Sequence, residues 1–248
     1  MSFTDIHIHA LSGVDDGARD EKTMFAMADS AYHDGVRDLC LTPHFHPGYF
    51  GDNQKSSQQV FETLCRYAEE KYSELRLYLG NELRFSSNCI AWLADGYCRT
   101  LNGTDYVLVD FYAGESARNI SRGLEQLLNA GYVPVLAHTE RYSELNQVTV
   151  REFVHNGVKI QLNAGSVLGS FGFGAKLRAT GLLRAQLADL VASDAHDLHR
   201  RKPGLSAVHR LIEKKCGKAY ADALCKQNAL ALLRDRGEEG IVTHHESL

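Results

Sequence analysis

Short β-rich apolar runs alternate with longer helical patterns along nearly the whole chain. No other feature of the sequence constrains the fold as strongly. The runs cover residues 5–9, 38–42, 75–80, 106–111, 134–138, 159–163 and 190–193. Several are rich in Val, Ile and Leu without clean polar alternation, as strands buried on both faces are. Helical patterns separate or follow them at 21–33, 56–72, 86–93, 119–129, 148–155, 175–188, 205–215 and 219–234. Gly131 and Gly157 stand just past two of these patterns, where a helix C-cap belongs. Such alternation predicts an α/β fold of parallel strands joined by right-handed crossovers. A closed or nearly closed barrel and an open doubly wound sheet both satisfy it.

No repeat, low-complexity stretch or Pro/Gly/Ser-rich linker interrupts the 248 residues. One domain over 1–236 with a polar tail at 237–248 is expected. A domain this long buries roughly 70–75% of its unfolded surface and needs no disulfide staple. The six cysteines form no C-x-x-C pair and are read as buried small residues. None has Arg six positions later, so a cysteine-nucleophile phosphatase loop is excluded. The 27 Lys+Arg against 31 Asp+Glu leave a net charge of −4. That is no basis for gripping a nucleic-acid backbone, and no nucleic-acid partner is expected. No apolar run approaches a membrane span, and Met1-Ser2-Phe3-Thr4-Asp5 lacks the features of a signal peptide. A cytoplasmic protein without membrane insertion is expected.

The His, Asp and Glu residues fall at the ends of the predicted strands. His7 and His9 close the first, His44 follows the second, and Glu82 the third. Asp110 ends the fourth, His138 the fifth, and Asp194 and His196 the seventh. In parallel α/β folds the carboxyl ends of the strands carry the active site. H-x-H or D-x-H alone is more often a polar strand end than a ligand pair. Together, so many ionisable groups on one rim are too costly to bury without a cation. Imidazole and carboxylate donors suit Zn, Mn or Fe, and carboxylates can bridge two ions. Between the first strand and first helix lies Val14-Asp15-Asp16-Gly17, in which Asp15 is read as a solvated turn residue. His33, His155 and His209 are read as surface or helix-end residues, and His46 and His199 as neighbours of the site. His244-His245 sits in the tail. Residues 169–174, Gly-Ser-Phe-Gly-Phe-Gly, lack the Walker lysine and are read as a flexible loop. Tyr49-Phe50 and Tyr112 are candidates for an aromatic entrance.

The motifs D-I-H-I-H at 5–9, V-D-D-G at 14–17, T-P-H at 42–44, G-N-E at 80–82, A-H-T-E-R-Y at 137–142 and A-S-D-A-H at 192–196 resemble the polymerase and histidinol phosphatase (PHP) family. Within it they are most similar to the bacterial manganese-dependent tyrosine-protein phosphatases of capsule and exopolysaccharide biosynthesis, the CpsB type. The resemblance runs from Asp5 to about Arg234. It implies a single-domain, distorted seven-stranded (β/α)7 barrel, TIM-barrel-like, around three divalent metal ions, Mn above all, with Fe, Zn or Co as substitutes. It places His7, His9, Glu82 and Asp194 on one metal, with Glu82 bridging. Asp110 and His138 complete the second, and Asp16, His44 and His196 hold the third. Asp110 stands where the family has Glu, and residues 111–119 depart from the subgroup. Arg141 matches the family arginine that grips phosphate. Of Arg200 and Arg201, Arg201 better fits the spacing of a second. The implied reaction is phosphomonoester hydrolysis by a metal-generated hydroxide, acting on a phosphotyrosine protein such as a bacterial tyrosine kinase tail. A small-molecule phosphatase of the histidinol-phosphate kind and a PHP phosphodiesterase are the alternatives. A non-catalytic metal scaffold is a further reading, disfavoured by the retained ligands.

Overall fold

The computed structural model describes residues 2–50 and 54–235. The predicted 237–248 tail, with His244-His245, lies outside the described residues. The elements run β1 (Phe3–Ile8), α1 (Glu21–Asp34), β2 (Val36–Leu41), β3 (His44–Phe45), α2 (Gln54–Lys71), β4 (Arg76–Leu79), β5 (Glu82–Arg84), α3 (Cys89–Ala94) and β6 (Tyr106–Asp110). They continue through α4 (Ala117–Asn129), β7 (Val133–Leu136), α5 (Gln147–His155), β8 (Lys159–Asn163), α6 (Ala164–Leu168), α7 (Phe173–Arg184) and β9 (Leu190–Ala192). Three helical pieces close the described chain: α8 (Ser206–Cys216), α9 (Lys218–Asp222) and α10 (Asn228–Arg234).

Every strand pairing is parallel. The order is β1-β2-β4 in one sheet and β3-β5-β6-β7-β8-β9 in the other. The predicted second and third strands, 38–42 and 75–80, stand as β2 and β4, and each is followed after a short break by a further, unpredicted strand, β3 and β5. Thr42-Pro43 separates β2 from β3, and Gly80-Asn81 separates β4 from β5. Proline lacks the N–H that a continuing ladder needs. Gly80 suits the close approach there, since a Cβ would lie 2.9 Å from the Leu101 side chain and 3.2 Å from the Leu101 Cα and the Thr100 carbonyl oxygen. Asn81 holds the break in place: its amide donates to the Pro43 carbonyl (3.0 Å) and its oxygen accepts from the Arg99 amide (2.9 Å). At the far edge Ile8 bridges Ala195 in parallel, with the His9 amide donating to the Ala195 carbonyl (2.9 Å). The sheet therefore curls until its last strand meets its first.

Burial follows the strand period of two. Val107, Val109, Leu136, Ile160, Leu162 and Val191 pack into a large core with the outer helices. Leu108, Val135, Ala137, Leu190 and Ala192 form a second core with Ile6, Cys40, Ala229, Leu232 and Leu233. Strands apolar on both faces are what this arrangement needs. Helix α10 contributes three of those residues, and its Leu233 carbonyl accepts from the Asn102 side chain (2.8 Å).

Several expectations need correction. The 219–234 pattern is two α-helical pieces joined by a π-helical stretch, Ala223–Gln227. The 169–174 segment is built from two left-handed glycines: Gly169 (φ 100°) caps the short helix α6, and Gly172 (φ 89°) precedes α7. Only glycine adopts those angles cheaply. His209 is buried, packed on Phe3 and bonded to Asp222 at 2.7 Å. The Gly131 and Gly157 caps take the expected left-handed form.

Candidate metal centre

Eight side chains at or just past the strand ends and Asp16 from the turn after β1 converge on one cluster, buried except at Asp16 and partly at His44. Glu82, the first residue of β5, is its hub. Glu82 Oε2 lies 3.4 Å from His7 Nε2, 3.3 Å from His9 Nε2 and 2.8 Å from His44 Nδ1. Its Oε1 lies 2.8 Å from His138 Nε2. The His7 and His9 Nε2 atoms are 3.1 Å apart, on residues two apart that face the same side. Asp194 Oδ1 stands 3.4 and 3.6 Å from that pair. Asp16 Oδ1 lies 3.3 Å from His44 Nε2 and 3.5 Å from His196 Nε2. Asp110 Oδ2 lies 3.8 Å from His138 Nε2.

Donor atoms within 4.8 Å of one another fall into three groups: His7, His9 and Asp194; Glu82, Asp110 and His138; and His9, Asp16, His44 and His196. His9 thus reaches two groups, and Glu82, grouped with Asp110 and His138 through one side of its carboxylate, also sets Oε2 3.4 Å from His7 Nε2 and 3.3 Å from His9 Nε2. Two of these residues carry left-handed backbone, His138 at φ 35° and Asp194 at φ 52°. Non-glycine residues held there cost free energy, and such strain concentrates at functional sites.

Hydrogen bonds orient the rings. Gln161 Oε1 accepts from the His138 amide (2.9 Å) and lies 3.2 Å from His7 Nδ1. Asp15 Oδ2 accepts from the His44 amide (2.9 Å) and lies 2.7 Å from His9 Nδ1. The Asp194 carbonyl lies 3.0 Å from His196 Nδ1. Each partner is an acceptor, so in the neutral ring each Nδ1 carries the proton and Nε2 is the nitrogen left with a lone pair toward the cluster. Gln161 in turn donates to Asn163 Oδ1 (2.9 Å), and Asn163 donates to Asp194 Oδ2 (2.6 Å).

The cluster is electrostatically divided. Burial lowers the His7 pKa, but Glu82 and Asp194 outweigh it and raise it to about 9. Glu82 and Asp16 likewise overcome burial and lift His44 to about 11. Burial pushes His138 down to about 4, and burial with the His9 and Arg201 charges takes His196 to about 3. Burial works against the Glu82 carboxylate, yet the imidazoles around it hold its pKa well below the usual range. Asp110 goes the other way, raised by burial and by the Glu82 charge. Asp110 Oδ1, His138 Nδ1 and His196 Nε2 are buried without a hydrogen bond. Donors of this kind, N and O with no thiolate, fit hard or borderline divalent cations.

Beside the cluster lies a cavity of about 240 Å³. Three arginines line it. Arg141 Nη1 is 3.4 Å from Asp194 Oδ2, and Arg201 Nη2 is 2.6 Å from Asp194 Oδ1. Both guanidinium groups lie 5.9 Å from the Phe171 ring centre. Arg141 does not pair with Glu140, which is buried and accepts from the Asn163 amide. The third, Arg84, pairs with Asp110 Oδ2 (3.0 Å), donates to the Phe111 carbonyl (2.6 Å) and lies over Tyr112. Arg200 is exposed. Phe50 stacks on His44, while His46 stacks on Tyr49 and lies 3.0 Å from the Tyr112 hydroxyl.

The strand-end rule passes over four of these residues. Asp15 is no solvated turn: its side chain is fully buried against His9. Gly17 explains why, since a Cβ there would lie 1.9 Å from the His9 carbonyl oxygen, so only glycine lets the V-D-D-G turn fold back over His9. Arg84 shares the strand face of Glu82, two residues away. Gln161 and Asn163 follow Lys159 at every second position of β8, alternating with the apolar Ile160 and Leu162. The period of two could have found all three.

Residues 3–234 match the family described as capsular polysaccharide synthesis, CpsB/CapC. The chain is 31% identical over 238 residues to the tyrosine-protein phosphatase CpsB of Streptococcus agalactiae serotype III, covering 93% of this chain and 98% of that one. It is 31% identical over 234 residues to the tyrosine-protein phosphatase YwqE of Bacillus subtilis, covering 94% and 92%. A crystal structure from work on YwqE and on CpsB of Streptococcus pneumoniae, described as unique metal-dependent tyrosine phosphatases, superposes with a TM-score of 0.86 at 31% identity, over 95% of each chain. Histidinol phosphate phosphatase from Lactococcus lactis shares the fold at a TM-score of 0.56 and 12% identity, over 88% of this chain and 95% of that one. By its match over nearly its full length, the chain belongs to the CpsB/CapC family.

Proposed function

We propose that this protein is a metal-dependent protein-tyrosine phosphatase, built as a single-domain, distorted seven-stranded barrel. The observation that carries the reading is the convergence of five histidines and four carboxylates on one largely buried cluster beside an arginine-lined cavity. The relatives' names agree with it. His7, His9 and Asp194 would hold one divalent ion, with Glu82 bridging to a second held by Asp110 and His138, and Asp16, His44 and His196, with His9 beside them, a third. Mn is the favoured ion, with Fe, Zn or Co accepted by the same donors. Bound there, such ions supply hydroxide near neutral pH and take up charge on phosphate oxygens.

The chain's own residues do the rest. Arg141 and Arg201 offer planar pairs of N–H donors to phosphate oxygens. Asp194, between them, keeps both guanidinium groups in place before substrate arrives. Asp15 and Gln161 hold the His9 and His7 rings so that Nε2 faces the cluster. A tyrosyl group leaves as phenolate, which needs no dedicated general acid. The substrate of this reading is a phosphotyrosine protein in capsule or exopolysaccharide synthesis, such as a bacterial tyrosine kinase tail.

Phosphate release tests the reading. Metal-stripped protein reloaded with Mn²⁺ is offered a phosphotyrosine peptide, a phosphoserine peptide, histidinol phosphate and a phosphodiester, with His9→Ala as the control. Preference for phosphotyrosine, abolished by His9→Ala, is the expected result. Turnover of only histidinol phosphate or only the diester overturns the substrate assignment.

A further inference from the structure

A second, larger cavity of about 530 Å³ adjoins the first, and Arg201 lines both. Phe171 stands at the junction, against both Arg141 and Arg201. Its ring can sit there because position 165 is glycine; a Cβ would lie 2.5 Å from the ring. The groove beyond is basic. Arg200, Lys202 and Arg210 line it and are exposed, and among the described residues none of their side chains forms an ion pair.

The acids nearby are already engaged. The Asp34 carboxylate accepts from the Leu205 amide (2.6 Å), the Ser206 amide (2.7 Å) and the Ser206 hydroxyl (2.5 Å). Asp197 accepts from the His199 and Arg200 amides at 2.6 Å. Three cations without an ion pair, against the single carboxylate of Asp34 in the lining, therefore gather in one groove of a chain whose net charge is −4. Such a field selects for anionic partners and speeds their encounter. The groove has more than twice the volume of the phosphate cavity, which suits several residues of a polypeptide rather than a single small anion.

We infer that this groove binds acidic side chains flanking the target tyrosine, so that the protein selects phosphotyrosines set in acidic polypeptide. The inference rests on the phosphotyrosine reading for the residue in the first cavity. The groove itself does not need that chemistry to be measured. A peptide whose phosphate sits by Arg201 passes over Phe171 and lays its acidic neighbours along Arg200, Lys202 and Arg210.

Two measurements on the full chain test this, with Lys202→Glu/Arg210→Glu as the variant. The first is kcat/KM on phosphotyrosine peptides with acidic or neutral flanks, against a small aryl phosphate. In low salt the wild type is expected to favour the acidic peptide by about tenfold, as a few exposed ion pairs allow. The preference should collapse in high salt, where exposed charges are screened. In the double variant it should vanish, with aryl phosphate turnover unchanged. Equal rates on the two peptides, or a preference that survives the double substitution, overturn the inference. The second is binding of labelled, unphosphorylated peptides and of a single-stranded oligonucleotide. Tighter binding of the acidic peptide, lost in the variant, supports the groove even if no phosphotyrosine is hydrolysed; that combination would sink the phosphatase reading alone. No difference between the peptides, or tighter binding of the oligonucleotide, overturns the groove's assignment.

Discussion

Gln161 offers one oxygen to two donors, the His7 ring and the His138 amide, and so ties together side chains of two proposed metal groups. Replacing it with Leu keeps the bulk and removes the acceptor. Gln161→Leu should weaken metal binding by roughly 10–100-fold, the usual cost of losing such an outer partner. Metal titration of the stripped variant checks this. Glu140 makes a different kind of prediction. Burial outweighs the hydrogen bond from the Asn163 amide and raises its carboxyl from the ordinary 4.5 to about 7. Between those values the folded protein holds a proton that the unfolded chain has released. Its contribution to stability therefore falls as pH rises through that window and is level above it. Glu140→Gln removes the effect. The variant's melting temperature should match the wild type near pH 4 and exceed it at pH 8, by the equivalent of at most about 3 kcal/mol. A difference that is constant across pH would contradict the assignment.

The elements show which parts of the fold were legible before the structure and why. Strand ends were read well, because His7, His9, Glu82, Asp110, His138, Asp194 and His196 interrupt apolar runs that otherwise pack on both faces. The short strands β3 and β5 were not, because they are only two and three residues long and lie beyond Pro43 and Asn81, where the apolar runs end. The π-helical stretch at Ala223–Gln227 left no mark, since its composition suits an ordinary helix. Asp15 was misread because turn propensity describes the local backbone, whereas its burial depends on His9 and His44 from elsewhere in the chain. The V-D-D-G turn is therefore the element to perturb. Gly17→Ala pushes a methyl group into the His9 carbonyl and should cost about 2–3 kcal/mol as an overpacking substitution. Phosphatase activity should fall with it, because Asp15 and Asp16 move together. Thermal melts and phosphate release, compared with Asp16→Asn, would distinguish the displaced turn from a lost carboxylate.

At the scale of the whole molecule, the curled parallel sheet gathers donors from distant parts of the sequence, from His7 to His196, at one end. The other side of the design is cost, for those donors are buried and mutually repulsive in part, as the opposed shifts of Glu82 and Asp110 show. Metal binding should then appear as folding stability. At free Mn²⁺ a hundredfold above its dissociation constant, a single site adds about 2.7 kcal/mol. The melting temperature of stripped protein should climb with added metal, and should climb far less for His9→Ala, since His9 reaches two of the three donor groups. The groove beside Phe171 was the least legible feature. Arg200, Lys202 and Arg210 look like scattered surface charges until α8 and the loop before it bring them together. The most direct measurement follows bound metal and hydrolysis in one titration. Stripped protein receives Mn²⁺ stepwise while bound metal per chain and phosphate release from a phosphotyrosine peptide are read together. The two should rise in concert, with full activity at three ions per chain. Full activity in chelator with no metal bound, or a fully loaded protein that releases no phosphate, would contradict the metal-dependent phosphatase outright.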